Sequence, residues 1–258
     1  MNQTAILISG HLRTFARCLP TQAWHVFRRY PNPAFFVSTV KDADSHTAEL
    51  LRTLYPKARV EVQVLDCQPE LPIPVKPTAE DWTMGRMYGH EPYAISVHPQ
   101  AILRQLWQLE QCWNFNMQRT EGESIAGTVI RIRPDLWFRA FYQPFSLFRD
   151  YPEDLAFTPW WGRFGGINDR FAVMGHKAAQ AYFTTYSRIP QLLAAGCPLH
   201  PESLIKASIE AEGCSIDDHM EADFSKLYGA ENPKLAGTFR DPEITAGDIA
   251  HMGGRITS

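Results

Sequence analysis

The chain has 258 residues, 45% of them hydrophobic and 21% charged. That is the profile of an ordinary globular protein, long enough for one large α/β domain over 1–258, with no linker visible. Its 25 Lys and Arg against 28 Asp and Glu give a net charge of −3. With no basic run there is no electrostatic footprint for nucleic acid, so any anion must be met by locally placed arginines. No apolar run approaches the roughly 18 residues of a transmembrane helix, and the start Met1-Asn-Gln-Thr lacks the features of a signal peptide.

Thr4–Ser9 is a short continuous apolar run, the pattern of a buried parallel strand. Gly10-His-Leu-Arg-Thr-Phe15 follows, and Pro20 sits near the start of a predicted helix over Thr21–Tyr30. In a functional reading Ser9 and Gly10 bring backbone close to a ligand and Arg13 meets phosphate or base. An ordinary βα turn explains the same residues equally well. Gly-x-Gly-x-x-Gly and the P-loop pattern are both missing, which counts against those nucleotide folds. Ala34–Val40 reads as a second strand and Val60–Leu65 as a third, with helical spacing through Ala48, Leu51, Leu54 and Tyr55 between them. The order βαβαβ implies a parallel sheet with right-handed crossovers.

Asp66–Pro99 is one long irregular stretch (66–99), rich in proline and carrying Trp82, Tyr88 and Tyr93. Such a loop either packs over something, such as an acceptor, or is a surface excursion without a role. Gln100–Arg119 is the longest predicted helix, with a core stripe of Ile102, Leu106, Leu109 and Trp113. Thr128-Val-Ile-Arg-Ile-Arg-Pro-Asp-Leu136 is the central segment. Thr128, Ile130 and Ile132 take one face of a strand and Val129, Arg131 and Arg133 the other. Pro134 ends the ladder. Two arginines and Asp135 thus lie at the C-terminal edge of a sheet, where open α/β folds bind ligands.

An aromatic run follows (Trp137, Phe138, Phe141, Tyr142, Phe145, Phe148), then a strand at Leu155–Thr158 and the glycine-rich loop Pro159-Trp-Trp-Gly-Arg-Phe-Gly-Gly166. Two adjacent tryptophans there, Trp160 and Trp161, offer a sugar platform, or else one of them fills a loop crossing. Asn168-Asp169-Arg170 enters a strand at Phe171–Met174, and helical spacing resumes at His176–Tyr186. His200-Pro-Glu-Ser-Leu204 opens another helix, with Pro201 in the first turn, Glu202 favouring its N-terminal dipole and Gly213 available as the C′ residue. Asp217, Asp218 and His219 are donors of the right kind for a divalent metal, or a solvated turn in the tail. Five scattered cysteines without Cys-x-x-Cys read as reduced, buried thiols of a cytoplasmic protein.

Four segments together, Ile8-Ser-Gly-His-Leu-Arg-Thr-Phe15, Val129–Leu136, Gly165-Gly-Ile-Asn-Asp-Arg-Phe-Ala172 and His200–Leu204, resemble in order and spacing a group of glycosyltransferase-like proteins with a GT-A type nucleotide-diphospho-sugar fold. The resemblance implies a single α/β domain with a mostly parallel sheet flanked by helices. It also implies a nucleotide-sugar donor, a glycan acceptor, and work in surface or capsular polysaccharide synthesis. Members carry Asp-x-Asp after the strand before the donor site, to hold a divalent metal. Here the stretch is Arg133-Pro134-Asp135, with only the second carboxylate. Asp135 is therefore the one candidate ligand for Mn²⁺ or Mg²⁺, while Arg131 and Arg133, with Arg13, could hold the diphosphate without metal. Asp169 and Glu202 are the candidate bases for the acceptor hydroxyl. Trp160, Trp161, Asn168, Arg170 and His200 are the candidate sugar and acceptor contacts. The alternative is a carbohydrate- or nucleotide-binding module that kept the fold without the reaction.

Overall fold

A computed structural model describes residues 4–72, 99–123, 126–141 and 151–226. Most of the loop 66–99, the aromatics Tyr142, Phe145 and Phe148, and the end of the tail lie outside the described residues. Seven strands form one sheet: β1 (Thr4–Ser9), β2 (Ala34–Val40), β3 (Val60–Leu65), β4 (Thr128–Ile132), β6 (Leu155–Pro159), β7 (Phe171–Met174) and β8 (Ser215–Met220). Their order is β3-β2-β1-β4-β7-β6-β8, and β7 runs antiparallel to both of its neighbours. The mostly parallel α/β sheet expected from the strand and helix pattern is therefore present. β5 (Leu136–Phe141) and β9 (Ala222–Lys226) pair apart from it as a two-stranded ribbon.

The alternation read in β4 decides both cores. Ile130 and Ile132 cluster with Phe15 and Leu19 of α1 (Phe15–His25), Phe27 just beyond it, Leu51 of α2 (Leu50–Leu54), and Phe138 and Phe224 of the ribbon. Val129 packs on the opposite face, under α3 (Pro99–Arg119), α4 (His176–Phe183), α5 (Thr185–Ala194) and α6 (Pro201–Ala211). Each sheet face thus buries a continuous apolar layer, the main favourable term in folding.

Several boundaries differ from the sequence expectation. α1 is Phe15–His25, not Thr21–Tyr30, so Pro20 lies inside it. The buried face Phe15, Cys18, Leu19, Gln22 and Ala23 holds the helix across the missing donor. A 3₁₀ turn at Phe27–Arg29 then completes the stretch. His176–Tyr186 is divided at Thr184, which caps α4 and opens α5. Asp217, Asp218 and His219 belong to strand β8 rather than to a turn in the tail. Of the five free cysteines, Cys18, Cys112 and Cys214 are buried as expected, but Cys67 is exposed.

α6 behaves as its sequence reads. Pro201 occupies its first turn. At its end Gly213, φ +66, sends its N–H to Glu210 O while Cys214 N–H reaches Ile209 O. That is a Schellman termination.

Candidate active site

β1 is followed in sequence by β2 on one side, while β4 adds on the other. The chain therefore reverses its winding between β1 and β4. Open α/β sheets leave a crevice at the carboxyl ends of the strands at such a point. Gly10, His11 and Arg13 leave β1 there, and Arg133, Pro134 and Asp135 leave β4 beside them. Gly10 has φ 137, and a Cβ on it would meet the Pro134 ring at 3.2 Å. Its small size lets the two turns pack together.

The Arg133–Asp135 turn is held from below. Gln22 of α1 is fully buried and its amide nitrogen donates to the carbonyls of Arg133, Pro134 and Leu136, at 3.1, 3.2 and 3.0 Å. Above the turn, Arg133 donates to Asp135 through two parallel bonds of 3.0 and 2.9 Å. Lys226, the last residue of β9, stands 3.9 Å from the same carboxylate. Burial alone would raise the Asp135 pKa. The charge and hydrogen bonds of Arg133, with Lys226 and Arg131, more than offset it and hold the carboxyl below its ordinary range.

Asp169, only 4% exposed, lies against this pair. Its Oδ2 accepts from Gln105 of α3 and stands 3.9 Å from Arg133 Nη1. Its Oδ1 is 3.7 Å from Arg170 Nε and makes no hydrogen bond. The Tyr182 hydroxyl donates to the Asp169 carbonyl at 2.9 Å. Arg131 is enclosed, 2% exposed, behind the cluster. One of its Nη groups donates to Ser9 O and Ile132 O, at 3.2 and 2.8 Å. It thereby ties the last residue of β1 to the last residue of β4.

The acid of α6 is different. Glu202 is 5% exposed and its Oε2 lies 3.1 Å from His200 Nε2. Burial first, then the nearby Asp169, pushes its pKa well above the carboxylate range. Burial pushes His200 down to about 4 despite Asp169. Glu202 Oε2 is buried and makes no hydrogen bond despite its proximity to His200, while His200 Nδ1 faces the Ser203 hydroxyl at 3.2 Å.

The structure gathers Arg131, Arg133, Asp135, Asp169, Arg170, His200 and Glu202 at one edge, with Gly10 packed beside them. Arg13 is exposed after β1, and Ser9 is buried at the strand's end. The tryptophans separate. Trp160 is 57% exposed, whereas Trp161 donates its indole N–H to Ala222 O at 2.8 Å and packs on Phe224. Asn168 is fully buried: its Nδ2 donates to Trp161 O and its Oδ1 accepts from Arg170 N, so both groups close the loop on itself. Asp217 and Asp218 pair with His219, and Asp218 also with Arg163.

Among the described residues no group of three or more His, Cys, Asp or Glu is arranged to hold a metal. Gln22, Gln105, Tyr182 and Lys226 were not read from the sequence. A glutamine at the buried spacing of an apolar helix is the signal that would have found Gln22, and Gln105 lies three residues after Ile102 and four before Leu109 of the core stripe. Nothing local marks Lys226. A cavity of about 310 Å³ lies at the opposite end of the strands, lined by Ala5, Ala34, Val129, Asn116 and His176 among others. It lacks the arginine–carboxylate cluster, so the C-terminal edge is the better candidate. Among the described residues no helix is long and apolar enough to cross a membrane.

No family model and no curated protein matches the chain. Among solved structures it is similar to the apo form of the glycosyltransferase GlyE of Streptococcus pneumoniae TIGR4, at 10% identity and TM-score 0.45, over 84% of this chain and 46% of that one. Mouse xyloside xylosyltransferase 1, apo form, matches at 10% identity and TM-score 0.39 over 84% of each chain. The apo bifunctional glycosyltransferase WbbM matches at 9% and 0.39, over 84% of this chain and 38% of that one. The chain thus spans about half the length or less of GlyE and WbbM. At so loose a superposition these likenesses carry no functional inference.

Proposed function

We propose that the chain is a glycosyltransferase that moves a sugar from a nucleoside-diphospho sugar to a glycan acceptor. The observation that carries this is the charge of the crevice at the β1/β4 edge. Arg131, Arg133, Arg170 and Lys226 are gathered with the carboxylates of Asp135 and Asp169, and burial raises the pKa of Glu202 beside them. The four cations outnumber these two carboxylates by two, and a diphosphate brings about two negative charges. Guanidinium forks suit phosphate oxygens. The four-segment resemblance to GT-A type transferases points the same way.

In this reading the arginines, rather than a metal, receive the diphosphate. A metal on Asp135 would have to displace the two-point pair with Arg133 and enter a cluster already rich in cations, so these residues do not fit one. Arg133, Arg170 and Lys226 face the ligand. Arg131, enclosed, stiffens the ends of β1 and β4 and adds its charge from behind. The acceptor oxygen attacks the anomeric carbon, the bond from that carbon to the diphosphate oxygen breaks, and the acceptor proton passes to Asp169. Asp169 Oδ1, which has no hydrogen bond of its own, is the atom left to take it. Surface or capsular polysaccharide is the product class we attach to the reading.

Asp135's engagement by Arg133 also favours a second reading, a binding module without turnover. A thermal-shift panel of UDP-, GDP-, CMP- and dTDP-sugars separates them when followed by donor hydrolysis and transfer assays. A donor that raises the melting temperature and is turned over supports the enzyme. Binding without turnover supports a nucleotide-binding module, and no binding by any donor at millimolar concentration removes the donor site and with it the transferase.

A further inference from the structure

The loop between β6 and β7 holds an outlier. Phe164 has φ 42, a left-handed conformation rarely adopted by a bulky side chain, yet 37% of it is exposed. Gly162 and Gly165, at φ 66 and 79, are left-handed beside it. The loop is fixed on both sides. A Cβ on Gly162 would lie 2.9 Å from Arg170 Nη1, and one on Gly166 would fall 2.0 Å from the Glu202 carbonyl carbon. Asn168 bonds across the loop. Glycine fits a left-handed position freely, and asparagine tolerates it. Keeping an aromatic there, partly exposed, is the kind of strain that accompanies a functional role.

The surroundings say what role. The Arg170 guanidinium lies 5.9 Å from the centre of the Phe164 ring. The same guanidinium is 3.7 Å from Asp169. Ring and carboxylate are thus joined through one arginine. Trp160, four residues before Phe164, is the most exposed large apolar side chain among the described residues. Trp161 has its N–H engaged by the ribbon, so Trp160 and Phe164 are the two rings the loop offers to solvent.

We infer that Phe164 and Trp160 form a stacking platform for a pyranose ring of the acceptor, with Arg170 and Asp169 at its polar margin. A pyranose has a flat C–H face rimmed by hydroxyls. It matches an aromatic surface bordered by one cation and one carboxylate, which ring hydroxyls can meet with hydrogen bonds. The word acceptor rests on the transferase reading; the platform itself requires only a sugar.

The test uses the full chain and saturation-transfer NMR, with methyl glycosides of glucose, galactose, mannose and N-acetylglucosamine at millimolar concentration as probes. At least one glycoside should receive saturation at its ring C–H protons. Phe164→Asn, which suits the backbone but removes the ring, should bind it on the order of tenfold more weakly with an undiminished melting temperature. Trp160→Ala should weaken it similarly, and Phe164→Tyr should retain it. Unchanged saturation in both Phe164→Asn and Trp160→Ala, or no glycoside bound by the wild type, overturns the platform. The donor panel keeps the two ideas apart. Donors that bind while glycosides do not leave the donor site standing and remove the platform. Glycosides that bind while no donor does leave the platform and remove the transferase.

Discussion

Asp169 and Glu202 are two carboxyl groups of one crevice with different partners. Asp169 has arginines on both sides and a glutamine donor on Oδ2. Glu202 is buried beside His200, with the charge of Asp169 nearby. A group whose pKa is raised by burial is held closer to its neutral form than a carboxylate lined by cations. Asp169→Asn should therefore lower transfer by roughly 10²–10⁴-fold, whereas Glu202→Gln, which keeps the side chain's size, should stay within about threefold. The reverse ranking in a turnover assay would make Glu202 the base. Stability carries a second signature. A pKa raised in the folded state means that stability is full below about 4.5, the ordinary value, and falls as pH rises through the folded one. His200, lowered from 6.5 to about 4, loses stability as pH falls through that interval. Glu202→Gln retains the same His200, so it should gain melting temperature over wild type as pH rises above 4.5. A constant difference would mean that folding does not raise the Glu202 pKa. Both acids were visible in the sequence, Glu202 as a first-turn residue and Asp169 as part of a polar loop. Their division of labour was not, because it depends on Gln105, Arg133 and Arg170 arriving from three other elements.

Elements were legible where one period governs a run. β1, β2 and β3 read correctly because apolar or alternating stretches admit one interpretation, and β4 because β-branched residues end at Pro134. The ribbon was missed for a physical reason. β5 pairs with β9, some 80 residues later in the chain, and a bulge between Phe138 and Ala140 breaks the alternation that would have betrayed it. The site depends on that ribbon, since β9 delivers Lys226 and Gln22 clamps the start of β5. Gln22→Leu would remove the donor shared by Arg133 O, Pro134 O and Leu136 O. Denaturant unfolding should show a loss of about 1–3 kcal/mol, and donor affinity should fall as the turn loosens. Loss of stability with donor affinity intact would separate the clamp from the site. Gly166 makes a sharper case. Its backbone sits so close to the start of α6 that Gly166→Ala places a methyl group on the Glu202 carbonyl. A loss of about 3 kcal/mol or more is expected, and a melting temperature unchanged within error would mean that the loop can lift from α6.

The whole molecule is slightly anionic, at −3, so it offers a nucleotide sugar no general attraction. Attraction must come from the crevice, and its range is then the range of four local cations. Two dependences follow. The first is on metal. If arginines hold the diphosphate, the melting shift given by the preferred donor should be the same in EDTA as in Mn²⁺, because the Arg133–Asp135 pair need not open. The second is on salt. Screening lengths fall from roughly 10 Å at 0.1 M to 3 Å at 1 M, but Arg133 and Asp135 are mostly shielded from solvent, at 18% and 16% side-chain exposure. Affinity should therefore weaken by roughly threefold to tenfold over that range, less than an open basic surface would lose. The opposite pair of results, a shift that requires Mn²⁺ and barely responds to salt, would mean that Asp135 releases Arg133 to bind the ion. Arg133→Lys distinguishes the two directly. A lysine keeps the charge but loses the two-point geometry, so it should weaken a metal-free donor complex on the order of tenfold or more. In a metal-held complex the same change frees Asp135 and should leave donor binding equal or stronger.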